Sequence, residues 1–285
     1  MTTIRNPVEW GADQLRLAGT AFGSTGRAMS EAEHGAAPVA VATIGMGDIR
    51  AALRAGFEDF LACRTDVIFL CVFYPVVGLV LGYVVFGHGL LVLLFPLASG
   101  FALVGPVAGL GLYAMSRARE RGGTMRWGDA FGVLAAPGFG RIALLSLAMV
   151  VELLVWLWAA FALYVLTLGP KPPVSLRLFV HDVVATPAGH AMAVVGVVLG
   201  LGFAVLALLL FLAFPLLLDR DVGLAVAIRA SVRAVMANKR TLAVWGLIVA
   251  CALALGSVPA FLGLVVVLPV LGHATWHLYR RVMPQ

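Results

Sequence analysis

The chain has 285 residues, of which 62% are hydrophobic and only 12% charged, with a formal net charge of +6 and a mean hydropathy of +1.02. Soluble domains are near half apolar and about a quarter charged, so a water-soluble globule of this makeup could not cover its own surface. The positive balance does not point to nucleic acid, because the basic residues flank the apolar runs, where they set orientation and meet anionic headgroups.

The charges are segregated. No Asp, Glu, Lys or Arg occurs from Val67 to Ser116, from Val183 to Leu218, or from Thr241 to Tyr279, and between Arg141 and Lys171 the sole charge is Glu152. About 20 apolar residues cross a ~30 Å hydrocarbon core, so these blocks read as bilayer spans. The expected fold is an all-α membrane protein of six transmembrane helices.

In chain order, residues 1–47 are rich in Gly, Ala, Ser and Thr and read as a flexible cytoplasmic arm. They lack the basic start, apolar core and cleavage site of a secretory signal, so the first span is expected to drive insertion. Asp48 is placed as an N-cap. From Ile49 to Ala62 an amphipathic helix is predicted at the cytoplasmic surface, with Ile49, Leu53, Phe57, Phe60 and Leu61 on one face and Arg50, Arg54 and Glu58 on another.

The first span is expected over residues 66–86 and the second over 91–115, where Pro106 and Gly109 are candidate bend or packing positions. A basic segment and a short helix over 127–135 lead to the third span, 142–168. A loop over 169–189, with four prolines, leads to the fourth span, 190–218, which contains Pro215. A third amphipathic helix over 223–238 sets Leu224, Ile228, Val232, Val235 and Met236 against Arg229 and Arg233. Residues 241–278 then divide into two short spans near Gly256–Pro259, leaving about 17 or 18 residues for each. Pro269 and Gly272 are further bend or packing candidates in the last.

With six spans and an inside N-terminus, 18 of the 20 Lys and Arg fall on the cytoplasmic side and only Lys171 and Arg177 outside. Five spans would put Arg280 and Arg281 outside, against the positive-inside rule. The expectation is a multi-pass inner-membrane protein with both termini cytoplasmic.

The pattern of surface helix then hairpin occurs three times, over 48–118, 125–221 and 223–281, within a membrane domain of 48–285. Arg54, Ala55 and Ala62 align with Arg229, Ala230 and Ala237, and Pro106, Gly109 and Arg117 with Pro269, Gly272 and Arg280. The middle copy is the weakest match.

Several segments are recognisable: NPVEWGADQL, DIRAALRAGFEDFLACRTDVIFL, LLFPLASGFALVGPVAGLGLYAMSR, MRWGDAFGVL and FLGLVVVLPVLGHATWHLYR. Together they resemble a bacterial family of predicted integral membrane proteins whose domain has no known function. The resemblance implies an inner-membrane protein and supplies no activity, substrate or catalytic residue. Some relatives carry cytochrome-oxidase-like names, but the intramembrane histidines on several helices that such chemistry needs are missing here.

Glu152 lies 11 residues beyond Arg141, about 16 Å along a helix at ~1.5 Å per residue. A carboxyl near the bilayer midplane suggests an ion, proton or substrate path, or else a structural hydrogen bond, and His273 in the last span is a possible partner. His273 and His277 share a helical face and read as histidines at a helix end. No phosphate loop, nucleophile elbow or zinc motif occurs, so no catalytic, cofactor or metal residue is expected, and no enzyme. The favoured role is a structural or accessory protein that organises lipid, a membrane-protein partner or further copies of itself. The alternatives are a small transporter or channel built on Glu152 and the bent Pro/Gly helices and, last in order, a membrane enzyme, for which no catalytic set is visible.

Overall fold

The structure is a computed structural model that describes residues 39–62, 73–87, 90–103, 105–123, 127–134, 136 and 138–285 except 260. Among the described residues every regular element is helical. In order they are α1 (Met46–Ala62), α2 (Phe73–Gly87), a 3-10 turn (Leu91–Leu93), α3 (Leu94–Leu103), α4 (Gly105–Ala108), α5 (Leu110–Glu120), a 3-10 helix (Trp127–Val133), α6 (Phe139–Leu168), α7 (Leu176–Ala185), α8 (Pro187–Leu210), α9 (Ala213–Asp219), α10 (Leu224–Ala237), α11 (Lys239–Ser257) and α12 (Leu264–Val282).

Among the described residues, three stretches are long and apolar enough to cross a bilayer: Phe139–Leu168, Pro187–Asp219 and Lys239–Ser257. They match the expected third, fourth and fifth spans. Their outward faces carry exposed Leu147, Leu154, Trp158, Val197, Leu201 and Leu247, as lipid-facing helices should. The expected first span begins in residues outside the description. The second is broken into α3, α4 and α5. The sixth, α12, is regular, but its polar second half, with His273, Thr275, His277, Arg280 and Arg281, makes it too polar to count by composition.

The breaks have local causes. Proline cannot donate a backbone hydrogen bond to the preceding turn, so the helix is interrupted around Gly105–Gly109, beside Pro106, and at Phe211–Leu212, four residues before Pro215. Pro269 behaves differently: α12 runs on through it. The segment expected as a loop over 169–189 contains α7. Ser175 caps it by accepting from the Leu178 N–H at 3.3 Å, and Thr186 caps α8 by accepting from Gly189 N–H at 3.0 Å, with Pro187 at the first helical position. A side chain at Gly189 would strike the Asp182 carbonyl and the Val183 backbone, so this turn requires glycine.

α1 starts two residues before the expected cap. Asp48 is the third helical residue and reaches back to accept from the Gly45 N–H at 2.9 Å, half of a capping box. Residues 39–45 are not part of a flexible arm. The Ala42 N–H bonds the Val282 carbonyl at 2.8 Å, the Ile44 N–H bonds Asn238 Oδ1 at 2.8 Å, Asn238 Nδ2 donates to the Ala42 carbonyl, and Thr241 donates to the Ile44 carbonyl. Backbone groups satisfied in this way hold the segment still, so the expected arm ends before Val39. Residues 1–38 lie outside the description.

The core is built by helix faces that composition conceals. α1 buries Ile49, Ala52, Gly56, Asp59 and Phe60; of the apolar face expected to lie on the membrane, Phe57 and Leu61 are exposed while Ile49 and Phe60 pack inward. α10 buries Ala227, Ala230, Ser231, Ala234 and Val235 and exposes Met236. α1 packs along α12, the 3-10 helix along α5, and α10 against α8 and α9. Small residues make these approaches close: Gly56 faces the Ala274 backbone, Gly111 faces Ala130, and Gly272 faces Leu112. A Cβ on Gly56 would lie 2.5 Å from Ala274 N. Gly56→Ala is therefore expected to destabilise by about 1–3 kcal/mol through overpacking, read as a lower Tm in detergent. Gly47→Ala, where nothing lies within 4 Å, should melt close to wild type.

Candidate functional site

The described polar side chains concentrate at one end of the bundle. Asp59 in α1 is 4% exposed, which for a carboxylate requires partners. It has three: the Ser116 hydroxyl of α5 donates to Oδ2 at 2.6 Å, His277 Nε2 of α12 lies 2.9 Å from the same oxygen, and the Arg119 guanidinium donates to Oδ1. Ser116 Oγ also sits 2.8 Å from His273 Nδ1. With the hydroxyl proton committed to Asp59, that contact needs a proton on Nδ1. His273 is fully buried, and its Nε2 has no hydrogen-bond partner of ordinary geometry among the described residues.

Burial pushes the Asp59 carboxyl up, but hydrogen bonds from His277 and Ser116 and the charges of His277 and His273 outweigh it and hold it below the usual carboxylate range. A carboxylate depressed on folding contributes stability that is complete above its unfolded value and is lost as pH falls through the folded one.

A second knot joins the ends of α5, α9 and α12. The Arg280 guanidinium bridges Glu120 at 2.8 Å and Asp219 at 3.2 Å. Tyr279 donates to Asp219 at 2.8 Å, Trp276 Nε1 donates to Glu120 at 3.0 Å, and Arg117 donates to the Leu218 carbonyl. Arg220 donates to the Met283 and Pro284 carbonyls, Arg141 pairs with Asp221 and donates to the Val222 carbonyl, and Arg281 pairs with Asp48 at 3.0 Å. These acids and bases thus satisfy one another across helices far apart in sequence.

Glu152 is placed elsewhere. It lies in α6 on the buried face with Leu145, Met149 and Trp156, and neither carboxyl oxygen has a hydrogen-bond partner among the described residues. Trp156, one turn on, donates to the Pro96 carbonyl at 3.0 Å. The pairing of Glu152 with His273 is not made, since His273 is engaged with Ser116 and lies 4.0 Å from Asp59. Pro106 and Gly109 sit at the break before α5, Pro215 near the start of α9, and Pro269 and Gly272 inside α12. Among the described residues no three His, Cys, Asp or Glu side chains are arranged to hold a metal.

Sequence reasoning missed Asp59, Ser116 and Glu120. The available signal was position: Asp59 falls three residues after Gly56 and seven after Ala52, so it shares their small-residue stripe rather than the charged face.

Residues 94–219 match the model of a family described as "Predicted integral membrane protein (DUF2189)". The likeness read from the motifs is shown over that stretch, and with its apolar helices the chain is an integral membrane protein. No curated protein and no solved structure matches.

Removing the Asp59 charge leaves two histidines and an arginine facing a neutral group. Asp59→Asn is expected to destabilise by about 3 kcal/mol, as for breaking one partner out of a buried pair. In melting curves across pH, the wild type should lose stability below about pH 4, and the part of that loss due to Asp59 should disappear in Asp59→Asn. Glu58→Gln, whose salt bridge with Arg54 is exposed, should stay within about 0.5 kcal/mol of wild type.

Proposed function

We propose that the chain is a non-enzymatic structural or accessory protein, six-spanning, that holds lipid or a protein partner in the inner membrane with both termini in the cytoplasm. The observation that carries this reading is the mutual satisfaction of the flanking charges. Arg117 and Glu120, Asp219 and Arg220, and Arg280 and Arg281 are tied to one another or to neighbouring backbone at one end of the bundle. Three chain segments whose ends gather at one face fit three hairpins better than an odd number of crossings. The charges spent in holding the ends together are not left over for chemistry.

Helix packing supports a threefold repeat. The surface helix of the first hairpin packs on the second helix of the third, that of the second hairpin on the second helix of the first, and that of the third on the second helix of the second. A ring in which each unit's surface helix covers its neighbour is the pattern expected of three like units.

Fusions of a cytosol-active reporter at residue 285 and a periplasm-active reporter at residue 172 should both be active. A silent reporter at 285 with an active periplasmic one there overturns the orientation. Purification in mild detergent should recover a stoichiometric protein partner or tightly held lipid, and repeated recovery of the chain free of both overturns the scaffold reading.

One observation favours a second reading. A buried carboxyl with no partner in a span is the ordinary mark of an ion or proton path. In proteoliposomes under a membrane potential, a transporter or channel should pass protons or cations, and Glu152→Gln should abolish the flux at equal reconstitution. The scaffold reading expects no flux above that of empty vesicles from either protein.

A further inference from the structure

The cations at the polar end are not all neutralised alike. Arg119, Arg141, Arg280 and Arg281 each have a carboxylate partner. From Val222 to the end of the chain there is no Asp or Glu, yet this stretch holds six basic residues. Two of them, Arg280 and Arg281, draw their acids from earlier helices. The other four, Arg229 and Arg233 of α10 and Lys239 and Arg240 at the start of α11, are exposed and have no carboxylate partner among the described residues. Arg233 touches only the Val39 carbonyl, at 3.4 Å. The stretch from Val222 onward thus carries a formal charge equal to the whole chain's +6, and four of its cations stand without an acid at one corner of the fold.

That corner stands at the head of an apolar track. On α11, positions 240, 244, 247, 251 and 255 fall on one helical face, and Arg240, Val244, Leu247, Cys251 and Leu255 are all exposed. On α10, Arg229, Arg233 and the exposed Met236 follow the same spacing along the surface helix. Unpaired cations thus stand at one end of an open, greasy stripe that runs down a span. This pairing of a charged head with a long apolar track has the shape and chemistry of a phospholipid, whereas a soluble anion would use the head alone.

We propose that the α10–α11 corner is a binding site for an anionic phospholipid, its phosphate held by Arg229, Arg233, Lys239 and Arg240 and its acyl chains lying along Val244, Leu247 and Leu255. This deepens the scaffold reading and rests on it only for the placement of the corner at a membrane surface. Topology and partner recovery could fail while the lipid preference stands, and the reverse.

The test uses the full chain in detergent, with native mass spectrometry of the protein mixed with equal phosphatidylglycerol and phosphatidylcholine. Wild type should retain phosphatidylglycerol preferentially at low salt, with the preference shrinking as salt rises. Each cation removed should cost roughly five-fold in that preference. R229Q/R233Q/K239Q/R240Q should therefore lose it, and R229Q/R233Q and K239Q/R240Q should each lose part, which covers the case in which the fourfold variant fails to fold. R50Q/R121Q, which removes two other exposed arginines from outside the corner, should keep it.

Equal retention of the two lipids by wild type, or an unchanged preference in the folded corner variants, overturns the proposal. Displacement of phosphatidylglycerol by millimolar inorganic phosphate marks a free-anion site and overturns it too. So does a preference that appears only when Glu31 and Glu33 of the preceding arm are changed to Gln, since those acids would then be the occupants of the corner.

Discussion

The Asp59 carboxylate is the tie on which the polar end of the bundle depends. It takes one hydrogen bond from α5 through Ser116, a charge-assisted one from Arg119, and a contact from α12 through His277, while itself sitting on α1. A carboxylate 4% exposed is tolerable only because these donors replace water. Its presence fixes three helices in register, because any slide of one past another strands a buried charge. The second knot, around Arg280, Asp219 and Glu120, repeats the device between α5, α9 and α12. The two knots share α5 and α12, so the polar ends of these helices are held as a unit.

The surface helices combine two kinds of contact. On α1 and α10 the buried stripe mixes Ala, Gly, Ser and Asp59 with Ile49, Phe60 and Val235, while Phe57, Leu61 and Met236 are exposed. In a lipid environment no hydrophobic force drives Leu or Phe between helices. Close approach of backbones and paired polar groups do the packing, and bulky side chains face the acyl chains. Glu152 is the exception, a buried polar group in α6 that nothing described answers.

Those contacts bound what could be read from the sequence. The existence of α1, α6, α8, α10, α11 and α12, and the break beyond Ser257, followed from charge-free length, capping residues and proline, all of which act locally. The packing faces of α1 and α10 did not: their apolar stripes were read as lying on the membrane surface, and that Ile49, Phe60 and Val235 turn inward beside a row of small residues is set only by tertiary contact. α7 was hidden by the prolines around it, although Ser175 and Thr186 supply the caps that permit it. Asp59 was passed over because a single sequence shows a charge without its partners, and its partners lie 57 and 218 residues away. Pro269 looked like a bend by residue type and sits inside a continuous helix.

The packing of α1 on α12 joins two helices more than 200 residues apart in the chain. A chain synthesised from its amino end exposes Asp59 long before His277 has left the ribosome. The carboxylate must wait in water or at the headgroup layer until residue 277 arrives, and the strip at 39–45 waits likewise for Asn238 and Val282. Folding therefore includes a late zip-up that draws an earlier segment onto a later one. A chain halted before α12 would leave α1 undocked and Asp59 without His277.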